Sequence, residues 1–202
     1  MSGAAKRTRA HKFGNAGREN DHEDVQNFVE SVIRRDVCMQ VLYSLPPAAD
    51  ATARLLLLGS MPGAQSLAAG QYYAHPRNDF WRLMFHVLSR PDPRSYEARI
   101  AALIESGVAL WDVIYACERE GSLDKNIRAA VPNDIPGFLI THPAVKTISF
   151  NGTMAQKTYF QNFKKQDGIA YVLLPSSSPV PRRYIRTFED KLTTWREIER
   201  YL

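Results

Sequence analysis

The chain has 202 residues, 45% of them hydrophobic, which is enough for one sizeable core and sets one domain as the expectation. Its net charge of +5 suggests a nucleic-acid binder, but residues 1–18 hold five basic residues (Lys6, Arg7, Arg9, Lys12, Arg18) and no acid, while the remainder is formally neutral. No apolar run approaches the roughly 20 residues of a membrane span. Cys38 and Cys117 form no CxxC pair, and the five histidines are scattered without metal-site spacing. That excludes a disulfide framework and an iron–sulfur cluster, and the expectation is a protein with no cofactor and no metal.

Residues 1–21 form a basic tail without hydrophobic periodicity, expected to be disordered. The tail lacks the apolar stretch of a secretory signal and could serve as an address label, so an intracellular location, cytoplasmic or with the DNA, is expected. Residues 22–44 read as a helical extension, with Val25, Phe28, Val29, Val32, Ile33 and Val37 at helical spacing and Ser44-Leu45-Pro46-Pro47 as its stop. The main domain is expected over 45–202. Leu55–Leu58 reads as a buried strand closed by Gly59. Arg77–Leu88 reads as a helix with Phe80, Trp81, Met84, Phe85 and Leu88 on one face. A helix over 95–106 follows, then a strand over 107–111, a strand over 145–150, a helix over 154–163, a strand over 169–174 and a final helix from about 186 to 202.

Strands alternating with helices predict the α/β class: a three-layer sandwich with a central four-stranded parallel sheet flanked by helices. Ligands of such sheets bind beyond the carboxyl ends of the strands. Four segments leave those ends: GSMPG (59–63) with QYYAHPRNDFW (71–81), LWD (110–112), SFNGT (149–153) and LPSSSPVPRR (174–183). Each alone signals little more than a turn.

In this order and spacing the four segments resemble the uracil-DNA glycosylase superfamily, most closely its DNA-deoxyinosine (hypoxanthine) glycosylase branch, over roughly residues 45–202. The resemblance implies a monomeric, monofunctional hydrolase that flips a deaminated base out of DNA and cleaves its N-glycosidic bond with a positioned water. Many superfamily members place Asp or Asn where this chain has Met61, and a thioether can neither accept a proton at neutral pH nor hold water strongly. The resemblance therefore points to Asn78 as the water-positioning group, with His75 as a second catalytic or loop-bonding candidate. A neutral amide suffices, because a transition state of oxocarbenium character needs water placed more than deprotonated. On spacing alone Asn78 is equally a helix cap.

Tyr73 aligns with the aromatic that stacks on the flipped base, with Tyr72 the less certain neighbour. Asp112 stands where uracil-releasing relatives carry a base-reading asparagine. A carboxylate there would accept the ring imide N–H of hypoxanthine, xanthine or uracil and repel the unprotonated nitrogen of adenine. Gly59, Met61 and Asn151 complete the expected base pocket, Asn151 being also a plausible structural turn.

The last segment lacks the histidine that polarises the leaving base in uracil enzymes. Leaving-group stabilisation must then come from backbone N–H groups, serine hydroxyls or solvent. Ser176, Ser177, Ser178 and Pro179 are expected to meet DNA, with Pro179-Val180-Pro181 as a rigid wedge and Arg182, Arg183 and Arg186 on phosphates. Two other readings stay open: a uracil or broad deaminated-base glycosylase, and a nucleic-acid-binding module that has lost its chemistry.

Overall fold

The computed structural model describes residues 41–179 and 187–202. The basic tail, residues 22–40 of the expected helical extension, and Arg182, Arg183 and Arg186 lie outside the described residues.

The central sheet holds four parallel strands, β2 (Leu55–Gly59), β3 (Val108–Asp112), β6 (Thr147–Asn151) and β7 (Ala170–Leu174), in the order β3-β2-β6-β7. The Leu55–Leu58 run is wholly buried because both faces of the sheet are covered. Leu55 and Leu57 point into a cluster with Phe80, Trp81, Met84, Leu103 and Trp195, whereas Leu56 and Leu58 join Phe138, Ile148, Phe150 and Tyr159 on the other side. Two-residue alternation thus splits one apolar run between two cores. Each leucine so buried contributes on the order of 2 kcal/mol.

Helices α2 (Phe80–Val87), α3 (Tyr96–Glu105) and α6 (Phe188–Trp195) supply the first core, and α4 (Ile135–Thr141) and α5 (Thr153–Asn162) the second. Three of them start on side-chain caps: Ser95 Oγ accepts from Ala98 N, Asp134 Oδ1 from Gly137 N, and Thr187 and Asp190 form a reciprocal capping box. A short α1 (Ala64–Ala69) follows β2, and a 3₁₀ segment, Arg196–Tyr201, carries on from α6 where a continuous helix was expected.

Three strands and the helices α1 and α4 depart from the sequence reading. Val41–Tyr43, expected as the end of a helix, form strand β1, whose β-branched and aromatic residues pair antiparallel with β4 (Ile114–Glu118). The folded domain therefore includes residues 41–44. Strand β5 (Arg128–Pro132) adds to β4, giving a second, three-stranded antiparallel sheet in the order β1-β4-β5. Only Val113 separates β3 from β4. Its N–H and that of Ile114 bond Gly59 O and Ser60 O, so the second sheet starts directly beside the end of β2. No helix among the described residues is long and apolar enough to cross a membrane.

Candidate active site

The carboxyl ends of β2, β3, β6 and β7 lie side by side, and the segments leaving them enclose a cavity of about 430 Å³. Every sequence-predicted site residue that is described lines it.

Asp112 closes β3, opposite Gly59 in register, and is 3% exposed. Its Oδ2 is buried without a hydrogen-bond partner. Burial raises its pKa, the charge of Asp124 raises it further and Arg119 opposes them, leaving it pushed up to about 7. Near neutral pH the group is therefore a mixture of acid and carboxylate, where the sequence suggested a plain carboxylate. Gly59 makes room for it: a Cβ there would stand 2.2 Å from Asp112 Oδ1 and 3.0 Å from the Tyr73 hydroxyl oxygen.

Tyr73 adopts φ 53°, a left-handed conformation that costs a tyrosine about 1 kcal/mol or more. Phe80 stacks on its ring at 3.7 Å between centroids, 10° from parallel, so protein already covers one face of the ring. Its hydroxyl accepts from Asn151 Nδ2 at 2.9 Å. Burial and the Asp112 charge push its pKa up, so it remains a neutral phenol. Tyr72 is a core residue whose hydroxyl donates to the carbonyls of Leu45 and Pro46.

Asn151, at the end of β6, spends its whole amide on the walls of the cavity. Nδ2 donates to the Tyr73 hydroxyl and to Ser177 Oγ at 2.8 Å, while Oδ1 accepts from Ser177 N at 2.8 Å. It ties the loop after α1 to the loop after β7. The next residue, Gly152, has φ 98° and passes so close to Ser176 that a Cβ would stand 3.0 Å from that side chain.

The final loop is less free than its sequence suggested. Ser177 is wholly buried, its hydroxyl and N–H are bound to Asn151, and its carbonyl accepts from Asp79 N at 3.0 Å. Its hydroxyl, N–H and carbonyl are all bonded within the protein. Ser176 Oγ accepts from Ser178 N, and Pro179 is exposed at the mouth. Lys191 of α6 pins this loop to the start of α2, bonding Asp79 Oδ2 at 2.7 Å and Ser178 O at 3.1 Å.

Asn78 lines the cavity, and its Oδ1 accepts from Phe80 N at 3.0 Å in the turn that leads into α2, whose N-cap residue is Asp79. An amide oxygen has a second lone pair, so this bond leaves one unused. His75 lines the cavity too, and its Nδ1 accepts from Arg77 N at 3.1 Å, which puts the proton of a neutral ring on Nε2. Met61 packs on Ile114 and Cys117 and gives the cavity an apolar wall.

One wall went unforeseen. The connection between β4 and β5 brings Ser122, Leu123, Asp124 and Lys125 to the cavity. Ser60 Oγ donates to Asp124 Oδ1 at 2.8 Å, and Ser122 Oγ accepts from Ala64 N at 2.9 Å. Behind it the buried Arg119 bonds Pro62 O. The stretch reads as a solvated polar turn, and only its Gly121-Ser122 pair hinted at anything. No cluster of metal-ligating side chains occurs among the described residues.

Residues 46–199 match the family model of the uracil DNA glycosylase superfamily. A hypoxanthine DNA glycosylase of Methanosarcina acetivorans is 34% identical over 157 residues, covering 77% of this chain and 96% of that protein. A second, from Methanosarcina barkeri, is 34% identical over 143 residues, covering 70% and 89%. Among solved structures, the solution NMR structure of a uracil DNA glycosylase candidate from Methanosarcina acetivorans matches with a TM-score of 0.69 and 33% identity, over 80% of this chain and 98% of that one. The sheet order, the cavity at its carboxyl edge and these matches agree, and the chain belongs to the uracil DNA glycosylase superfamily.

Proposed function

We propose that the chain is a monofunctional DNA glycosylase that removes deaminated bases, chiefly hypoxanthine, from DNA. The observation that carries this reading is the buried carboxyl of Asp112, with one oxygen unpartnered, in a cavity walled by the backed ring of Tyr73. An unpaired buried acceptor costs on the order of 1–3 kcal/mol, a cost that a base with a ring N–H removes on binding. Hypoxanthine, xanthine and uracil carry that N–H, and adenine carries a bare nitrogen in its place. Two relatives, each 34% identical, are hypoxanthine DNA glycosylases, which favours the purine.

In the proposed reaction the flipped base stacks on the free face of Tyr73 and Asp112 accepts its ring N–H. Asn78 Oδ1 holds the water that adds to C1′ as the C1′–N bond breaks. Met61 contributes apolar wall and Asn151 holds Tyr73 in place. Phosphate binding falls to the segment around Pro179 and to Arg182 and Arg183. Among the described residues the one lysine at the cavity, Lys125, is exposed, and hydrolysis needs no amine.

Oligonucleotides carrying a single hypoxanthine, xanthine, uracil or adenine test the reading. Alkali-revealed abasic sites are expected for hypoxanthine above all, with uracil the second candidate, since its imide also fits Asp112. Borohydride should trap no covalent adduct. Absence of product from every oligonucleotide would leave a binding module, and a trapped adduct would make Lys125 a nucleophile.

A further inference from the structure

The hydrolysis proposed above leaves one need unmet. The departing base takes the electron pair of the C1′–N bond, and the negative charge gathers on its ring nitrogens and exocyclic oxygen. No imidazole stands in the loop after β7 to meet it. Ser177 there is committed to Asn151, and Met61 offers no polar hydrogen. Other groups on the cavity wall can supply a donor.

We propose that Asp112 works as the protonated acid, donating its O–H to the exocyclic oxygen of the departing base, and that Asp124 on the facing turn keeps that proton in place. This rests on the glycosylase reading and deepens it. The geometry is a single buried carboxyl with one oxygen bound to nothing, lining the cavity beside the Tyr73 hydroxyl, with a second carboxylate brought to the same cavity by another part of the chain. Ser60 Oγ fixes Asp124 by donating to its Oδ1. Among the described residues, the charges and hydroxyls around Asp112 are Asp124 in the β4–β5 connection, Arg119 beyond β4, and Tyr72 and Tyr73 on the loop after α1. His75, Arg77 and Lys125 also line the cavity. Burial and Asp124 outweigh Arg119, in the sense that favours the acid. A carboxylic acid held neutral in this way is an established means of donating a hydrogen bond to a developing anion.

The protonated carboxyl fits the lactam edge of hypoxanthine at two points. Its carbonyl oxygen accepts the ring N–H and its hydroxyl donates to the exocyclic oxygen. As C1′–N9 breaks, the Asp112 proton moves toward the base, water oxygen bonds C1′, and the proton lost by that water restores the acid through solvent. The products are an abasic sugar and neutral hypoxanthine.

The test is the pH dependence of single-turnover release from deoxyinosine DNA. The rate should fall as pH rises through about 7, where Asp112 ionises. Asp124→Asn keeps an oxygen for Ser60 Oγ and removes the charge, so the falling limb should move to lower pH. Asp112→Asn reproduces both hydrogen bonds without titrating, so its rate should be flat across this range. A limb that persists in Asp112→Asn belongs to another group and overturns the proposal, as does a wild-type rate that rises through pH 7 or an unmoved Asp124→Asn profile.

Thermal unfolding gives a readout independent of turnover. Asp112 has a folded pKa of about 7 against 3.8 when unperturbed, so it erodes stability progressively between those values as pH rises. The Tm of Asp112→Asn relative to wild type should climb over the same window, and a constant difference would refute the proton assignment. If wild type releases no base at any pH, the glycosylase reading itself fails. If it releases base with the opposite slope, only the acid role fails.

Discussion

Gly59→Ala is the smallest change that separates the shape of the cavity from its chemistry. Gly59 is fully buried at the end of β2 and its backbone is that of an ordinary strand, so alanine brings no conformational penalty. What it brings is a methyl group 2.2 Å from Asp112 Oδ1, against an ordinary contact distance of at least 3.4 Å. The carboxyl must retreat by about 1 Å, and a displacement of that size at a reacting group costs on the order of 10²-fold in rate. Overpacking a rigid strand pair should cost about 1–3 kcal/mol, or about 2–4 °C of Tm per kcal/mol in a chain of this size. The second close atom, the Tyr73 hydroxyl at 3.0 Å, ends a longer side chain and can yield by tenths of an ångström. Urea unfolding and single-turnover cleavage should be measured on Gly59→Ala, Asp112→Ala and the double variant. Removing the Asp112 carboxyl should recover most of the stability lost to alanine at 59 and none of the activity, a coupling that additive sites would not show. A Gly59→Ala enzyme with wild-type turnover, or a loss of stability equal in both backgrounds, would refute the convergence of Gly59 and Asp112 as the basis of the pocket.

Asn78→Ala should lower single-turnover cleavage on the order of 10²–10⁴-fold for every substrate while leaving DNA affinity nearly unchanged. The lost bond to Phe80 N should add about 1 kcal/mol of destabilisation, visible in urea. Asn151→Ala strands the buried N–H of Ser177 and frees Tyr73, so about 2–4 kcal/mol of stability should disappear along with activity. Asn151→Asp keeps the acceptor for Ser177 N and should be the milder of the two by the same measurements.

The central sheet was legible because a strand covered on both faces must be apolar at every position, and Leu55–Leu58 has no other reading. Strand β5 was invisible for the opposite reason: Arg128–Val131 are exposed, so no alternation marks them. β1 was absorbed into the preceding helical pattern, because three residues cannot establish a period of their own. Within the site, the loops after β2 and β3 announced Gly59, Tyr73, Asn78 and Asp112, each at a strand end or in a long motif. What spacing could not convey was the hydrogen bonding that divides them. Asn151 and Ser177 look like pocket polar groups in sequence, yet their bonds run to one another and to Tyr73. Asp124 escaped because its importance lies in a charge brought near by a hairpin, across a gap in sequence that no local pattern spans.

The clasp made by Lys191 has a consequence for when the protein becomes competent during synthesis. The groups it joins, Asp79 and Ser178, lie about a hundred positions apart along the chain, and Lys191 itself follows both. A ribosome releases the four sheet strands before this lysine emerges, and the cavity can be only loosely drawn until α6 docks. Half-made chains with an assembled sheet would therefore hold the cavity-lining groups without holding them in place. Premature stops after β7 should yield products that bury much of the core and are poor at turnover, in contrast to stops within the sheet, which leave strand edges unpaired.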